Sequence, residues 1–237
     1  MAPTLVLPGR TKQLEDPLDH LPCSAILEYR KGQTIYLHDQ PSTSLHLVID
    51  GKVRVSRLGN DGDQVLIDIY QRDDFFGESV LLNLPNSGEQ ATALEDCKLM
   101  TWGTAALEEL IMRRPRLGVA LLQILVQRTT DFTKRLEGFC VDNIECRLAR
   151  SLIRFSARFG TLAEDGSVNM MAFTHEVLAQ YVGTSREIVT HYMNAFRRNG
   201  YLSYSRKGIT LQREALREWL RNPSSGKLAA ATASSAA

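Results

Sequence analysis

The chain has 237 residues, 43% of them apolar, and 28 lysines and arginines against 27 carboxylates, a formal net charge of +1. That is enough apolar material for one large or two ordinary packed domains, too little net charge for a general nucleic-acid coat protein, and it includes neither an eighteen-residue apolar run nor a basic-then-apolar leader, so a cytoplasmic chain without a membrane span is expected. The charge is unevenly divided: residues 1–139 carry 15 cations against 19 carboxylates and residues 140–237 carry 13 against 8, which puts any surface for a polyanion in the C-terminal part.

Residues 1–20 hold three prolines and little periodicity, and read as a lead-in with one short helix. From 21 to 114 the texture is of short alternating or β-branched runs: Thr34–Leu37, Leu45–Ile49, Val53–Leu58, Gln64–Tyr70 and Lys98–Trp102. Between them stand Lys31-Gly32, Asp50-Gly51, Gly59-Asn60-Asp61-Gly62 and Asn86-Ser87-Gly88, which supply the positive φ that tight turns need. This spacing predicts an antiparallel barrel or roll. A short helix over Thr104–Arg113 follows, and Pro115 opens a long one over 115–140, proline being tolerated in a first turn. Along it Gly118, Leu122, Leu125, Thr129, Phe132, Leu136 and Phe139 recur at alternating fours and threes, the rhythm of a coiled-coil seam. Leu117, Leu121, Ile124 and Arg128 form a second stripe. One stripe can cover the chain's own roll and the other a twin helix, so a homodimer through Leu122, Leu125, Thr129, Phe132 and Leu136 is expected. The competing reading is a single helix buried on two sides of a monomer.

The heptad breaks at Cys140-Val141-Asp142-Asn143, which marks a hinge and the start of a second domain over 141–222. Asp142 or Asn143 can cap a helix running to Phe159. Thr174 can cap another with Val177, Leu178 and Val182 on one face, Gly183 breaks it, and Thr184 or Ser185 can cap the next. That next helix has an apolar face of Ile188, Val189, Tyr192, Met193 and Phe196, and a polar one of Ser185, Arg186, Glu187, Thr190, His191 and Asn194. It ends in Arg197-Arg198. The following YLSYSRKGITL reads as a β-hairpin tipped by Arg206 and Lys207, so the unit is a winged helix-turn-helix with cations where phosphates would pass. A closing amphipathic helix, QREALREWLR, precedes a small-residue tail over 223–237 that is expected to be disordered.

The spelling VGTSREIVTHYMNAFRRNGYL resembles the DNA-binding motif of the Crp/Fnr family of bacterial transcription regulators. Gly32, Ile49-Asp50-Gly51-Lys52-Val53 and Asp74-Phe75-Phe76-Gly77-Glu78, in that order, resemble the same family's cyclic-nucleotide-binding roll. The resemblance spans roughly 25 to 212 and implies an α+β chain: an N-terminal antiparallel β-roll of jelly-roll type, a dimerisation helix and a C-terminal winged helix-turn-helix. It also implies double-stranded DNA with an inverted repeat as partner, with RNA polymerase as a further candidate. Arg186 and Glu187 fall on the family's base-reading pair, Thr184, Ser185, Thr190 and His191 lie beside them, and His191 replaces an arginine. The implied effector site lies near Glu78, Ser79, Ser87, Gly88, Glu89, Phe132 and Thr133. The family's phosphate-binding Arg-Ser pair aligns with Ser87-Gly88, followed by Glu89, and no arginine lies between Arg72 and Arg113, so cyclic AMP is not expected to be the effector. No cofactor or metal is expected. Cys23 stands alone where the Fnr branch clusters its iron–sulfur ligands, and the four cysteines contain no Cys-x-x-Cys. Catalysis is not expected, since no phosphate-cradling, metalloprotease or nucleophile-turn motif occurs. A ligand-independent or thiol-responsive regulator of the same fold is the alternative.

Overall fold

The computed structural model describes residues 15–40, 42–59, 64–82 and 88–221. Residues 1–14, the turn at Asn60-Asp61-Gly62, the pair Asn86-Ser87 and the tail over 223–237, all read above, lie outside the described residues. A 3-10 turn, Pro17–Asp19, capped by Asp16, stands in the described part of the lead-in.

The roll is made of β1 (Ile26–Tyr29), β2 (Thr34–Tyr36), β3 (Ser44–Asp50), β4 (Lys52–Leu58), β5 (Gln64–Gln71), β6 (Phe75–Phe76), β7 (Glu89–Ala93) and β8 (Cys97–Gly103). They form two antiparallel sheets, ordered β1-β8-β3-β6 and β2-β7-β4-β5. The faces meet over Val48, Val53, Val55, Tyr70, Phe76, Ala91 and Leu99. Strands β1, β6 and β7 were not among the expected runs. In β7 Ala91, Thr92 and Ala93 are buried in succession, so the strand carries neither bulk nor alternation to mark it. Gly51 is required where β3 turns into β4: its φ is +81°, and an added Cβ would lie 2.3 Å from the Asp96 carbonyl oxygen.

Helices α1 (Thr104–Arg113) and α2 (Pro115–Val141) follow, with proline in the first turn of α2. Leu117 and Leu121 join Leu45, Leu47, Phe75, Trp102 and Leu107 in a second apolar cluster, so one stripe of α2 covers the chain's own roll. On another face Leu122, Val126 and Leu136 are 62%, 65% and 63% exposed, and Phe132 and Phe139 are exposed too. A row of large apolar side chains exposed on one face of a helix is the kind of patch that marks a contact surface.

The C-terminal part holds α3 (Ile144–Phe159), β9 (Gly160–Leu162), β10 (Val168–Met170), α4 (His175–Val182), α5 (Arg186–Arg198), β11 (Leu202–Tyr204), β12 (Ile209–Leu211) and α6 (Arg213–Arg221), with the sheet ordered β11-β12-β10-β9. The α2 helix runs to Val141, one residue beyond the expected 115–140, and of the two expected caps Asn143 is the one that caps α3, its Oδ1 accepting from the Cys146 amide at 2.8 Å. Thr174 and Ser185 cap α4 and α5 as expected. Ile188, expected on the buried face of α5, is 37% exposed; the buried stripe is Val189, Met193 and Phe196, one position round the helix.

The two halves share an apolar cluster, because Leu66 and Ile69 on the outer face of β5 pack with Leu148, Leu178, Tyr181 and the rest of the C-terminal core. Arginines complete the joint. Arg135 of α2 donates to the carbonyl oxygens of Ile67 and Leu66, both at 2.9 Å, and of Tyr181 at 2.7 Å. Those oxygens are available for local reasons. The β4–β5 register skips Ile67, β5 is a sheet edge, and Tyr181 lies in the last turn of α4, where carbonyls lack helical partners. Arg158 of α3 reaches Asp68 at 2.6 Å and the Ile69 carbonyl at 2.7 Å.

Candidate nucleic-acid interface and effector pocket

Gly183 sits between α4 and α5 at φ +72°, and an added Cβ would lie 2.9 Å from the Phe139 ring. The turn that aims α5 therefore touches the end of α2, and Arg147 stacks over the same ring at 5.0 Å. On α5 the side chains of Ser185, Arg186, Glu187 and His191 are exposed, with Thr184 partly buried at the turn. Arg186 has no ion-pair partner among the described residues. The Glu187 carboxyl is held below its usual range by its own backbone amide and the Ser185 hydroxyl, so it is an anion at neutral pH. Thr190 and Asn194, expected to face outward, are engaged inside the unit. Thr190 Oγ1 lies 2.8 Å from the Arg186 carbonyl and 2.7 Å from His175 Nδ1, and Asn194 accepts from the Tyr204 hydroxyl at 3.0 Å. The free polar face thus narrows to Arg186, Glu187 and His191, with Ile188 as an apolar neighbour that the pattern had assigned to the core.

The β11–β12 hairpin pairs Leu202 with Leu211 and Tyr204 with Ile209, leaving Arg206 and Lys207 exposed at its tip. Arg197 lies over the Tyr204 ring at 5.3 Å, and Arg198 is exposed at the end of α5. Exposed cations thus stand at the end of α5 and at the wing.

At the predicted effector site, Glu78 begins a 3-10 turn (Glu78–Leu82) and pairs with Arg128 of α2 at 2.6 Å. Arg128 also donates to the Phe75 carbonyl and lies over the Tyr70 ring at 4.9 Å. Ser79 is partly buried beside Glu78, and Gly88 has φ +69°. The side chain of Arg57, on β4, lies over Gly88, its Nε 3.3 Å from an added Cβ, and Arg57 stands opposite Glu89 in the β4–β7 register. Burial and the Glu78 carboxylate push the Glu89 carboxyl up, and Arg57 pulls it back down. The stretch between Arg72 and Arg113 indeed lacks arginine, but the tertiary structure brings Arg57 and Arg128 into the site, a correction to its expected charge. Each faces a carboxylate. The Tyr36 hydroxyl is buried with no hydrogen-bond partner among the described residues, and burial and the nearby Glu89 raise its pKa. Phe132 and Thr133 are exposed on α2, and the Thr133 hydroxyl donates to the Thr129 carbonyl at 2.9 Å. Only the β4–β7 register, which sets the exposed Arg57 against Glu89, and the packing of β2 in the roll interior could have signalled Arg57 and Tyr36.

All four cysteines are free. Burial raises the Cys97 thiol to about 11 and also raises Cys146, which disfavours the thiolate at both. Among the described residues no group of three or more His, Cys, Asp or Glu could hold a metal, and no helix is long and apolar enough to cross a membrane.

Residues 26–114 match the model of the cyclic nucleotide-binding domain, and residues 146–219 that of the Crp-like helix-turn-helix domain. The chain is 28% identical over 202 residues to the CRP-like cAMP-activated global transcriptional regulator of Mycobacterium tuberculosis, covering 85% of each chain. It is 23% identical over 188 residues to the global nitrogen regulator of Synechococcus elongatus, covering 78% of this chain and 85% of that one. Among solved structures, a CRP/FNR-family transcriptional regulator from Thermus thermophilus superposes with a TM-score of 0.69 at 25% identity, over 83% of this chain and 98% of that one. FixK2 from Bradyrhizobium japonicum shares the fold, with a TM-score of 0.72 at 20% identity over 82% and 96%.

Proposed function

Since the chain belongs to the Crp/Fnr family of DNA-binding transcription regulators, we propose that it works as a C2 homodimer, paired along Leu122, Leu125, Thr129, Phe132 and Leu136, on an inverted-repeat site. Half-sites would lie roughly 34 Å apart, so that both α5 helices enter the major groove on one side of the duplex. Arg186 reads a guanine through O6 and N7, Glu187 accepts from a neighbouring cytosine amino group, and the exposed Ile188 adds apolar contact with a thymine methyl. Thr184, Ser185 and His191 flank that contact, while Arg197, Arg198, Arg206 and Lys207 hold phosphates. The regulator works in the cytoplasm, contacts RNA polymerase at its promoters, and has no catalytic role. The observation that carries the reading is the exposed, unpaired Arg186 beside an ionised Glu187 on a helix whose leading turn touches the end of α2.

The effector site supports a ligand other than cyclic AMP. Glu78, Ser79, Gly88 and Glu89, with Ser87, Phe132 and Thr133, would surround it, yet Arg128 faces Glu78 and Arg57 faces Glu89, so a cyclic phosphate would meet no unopposed cation. Two experiments test the proposal. Binding-site selection should yield a palindrome whose preference at one base pair per half-site flattens in Arg186→Ala, with a cost of about 1–3 kcal/mol per half-site; an unchanged motif would remove Arg186 from the role. Calorimetry should show no binding of cyclic AMP at physiological levels, and sub-micromolar binding that raises DNA affinity would overturn the effector reading alone.

A further inference from the structure

An open cleft of ≈850 Å³ lies between the end of α2, α3 and α6. It is separate from the base-reading face of α5 and from the roll interior, since none of Arg186, Glu187, His191, Glu78 or Glu89 lines it. On α2 its wall runs from Asp131 to Val141 and includes Lys134, Arg135, Glu137, Gly138 and Phe139. At 3.6 residues per turn Lys134, Arg135 and Gly138 lie roughly 130° around the helix from the seam of Leu125, Phe132 and Leu136, whereas Phe139 borders that seam. A partner copy paired along the seam would meet the cleft at Phe139 and leave its cationic wall open.

The lining is strongly cationic, with eight lysines and arginines against three carboxylates. Some of this charge is matched: Arg154 pairs with Asp131 at 3.3 Å, Arg150 with Asp142 at 2.7 Å, Arg158 with Asp68 at 2.6 Å and Arg217 with Glu214 at 2.7 Å. Lys134, Arg135, Arg147 and Arg221 have no carboxylate within 4.0 Å among the described residues. Arg135 and Arg147 each bury an Nε that has no hydrogen-bond partner there. Guanidinium groups confined together in a partly dry cleft repel one another, and burial with the Arg154 charge holds the Arg135 pKa below its usual value. The arrangement costs free energy that a bound polyanion would recover, because planar guanidinium forks match phosphate oxygens.

We propose that this cleft binds a small molecule carrying two or more phosphate groups, which would bridge Lys134 on α2, Arg147 on α3 and Arg221 on α6. Such a ligand would span the junction at Asp142 and fix the DNA-binding half against the dimer helix. The site is separate from the effector site proposed in the roll and independent of whether that site takes a ligand.

Calorimetry on the full-length dimer, with inorganic pyrophosphate, ATP and cyclic di-GMP as probes, tests it. At least one probe should bind once per protomer, more weakly as salt rises. The pair Lys134→Glu with Arg221→Glu should weaken it by about tenfold or more, and Lys134→Gln with Arg221→Gln should weaken it less, guarding against a folding defect. Lys98→Glu, on β8, should leave it unchanged. The proposal is overturned if no probe binds at millimolar concentration, or if binding survives both double variants. It is also overturned if Glu78→Gln or Arg57→Ala abolishes binding, which would put the ligand in the roll, or if duplex DNA of unrelated sequence competes with pyrophosphate, which would make the cleft a phosphate-backbone surface.

Discussion

Replacing Arg135 by alanine should uncouple the DNA-binding half from the rest of the chain without unfolding either half. Arg135 makes three hydrogen bonds of 2.7–2.9 Å, two to β5 and one to α4, and its guanidinium lies 4.0 Å over the Tyr181 ring. Hydrogen bonds from a charged donor contribute about 1.5–3 kcal/mol each and a cation–π contact about 0.5–2 kcal/mol, a gross sum of roughly 5–11 kcal/mol. Most of that is offset. The side chain regains solvation when freed, and water from the adjoining cleft can reach the three carbonyls, so a net loss of about 2–4 kcal/mol in docking is expected. That is a shift of roughly 30- to 1000-fold in the docked population. Hydrogen exchange should accelerate across β5 and the α4–Gly183 turn while the interior of the roll stays protected, and specific DNA affinity should fall by about tenfold or more. Arg135→Lys should recover only part of the loss, because one ammonium cannot reach carbonyls on two elements with a fixed fork. Unchanged exchange at Leu66, Ile67 and Tyr181, together with DNA affinity within about twofold of wild type, would refute the reasoning.

Three further outcomes are expected. Leu136→Glu should give monomers in sedimentation and lose tight binding to the full palindrome, since it places a carboxylate in the apolar seam; a variant that stays dimeric would move the interface elsewhere. Alanine at Arg206 and Lys207 should weaken binding to all sequences alike and reduce the salt slope by about one per contact removed, measured by fluorescence anisotropy over a salt series. Finally, burial lowers the His46 pKa to about 4 within the ring stack of Tyr36 and Phe76. The folded state resists protonation there, so stability is whole above the unfolded value of 6.5 and is lost as pH falls from 6.5 toward 4. Denaturant titrations should show that loss in wild type and a smaller one in His46→Phe.

The local elements were legible because their signals are short-range. Thr174, Gly183 and Ser185 mark the two helices of the DNA-reading unit through caps and a positive φ, which need only neighbouring residues, and Leu117/Leu121 and Leu122/Leu136 separated into two stripes by helical period alone. What stayed hidden depends on residues far apart in the chain. β7 hides behind three small or polar residues buried in succession, Ala91, Thr92 and Ala93, and Ile188 sits at the edge of a stripe whose width is decided by how α4 crosses α5. Thr190 and Asn194 look like free polar groups until His175 and Tyr204 are folded onto them. Arg57 and Arg128 reach the effector site from β4 and α2, so an arginine count along one loop could not find them. The three carbonyls that hold Arg135 belong to two domains, and their availability follows from a register slip at Ile67 and the end of α4. Local propensity and period are properties of the sequence by itself, whereas the meeting of charges across elements is decided only when the tertiary structure closes.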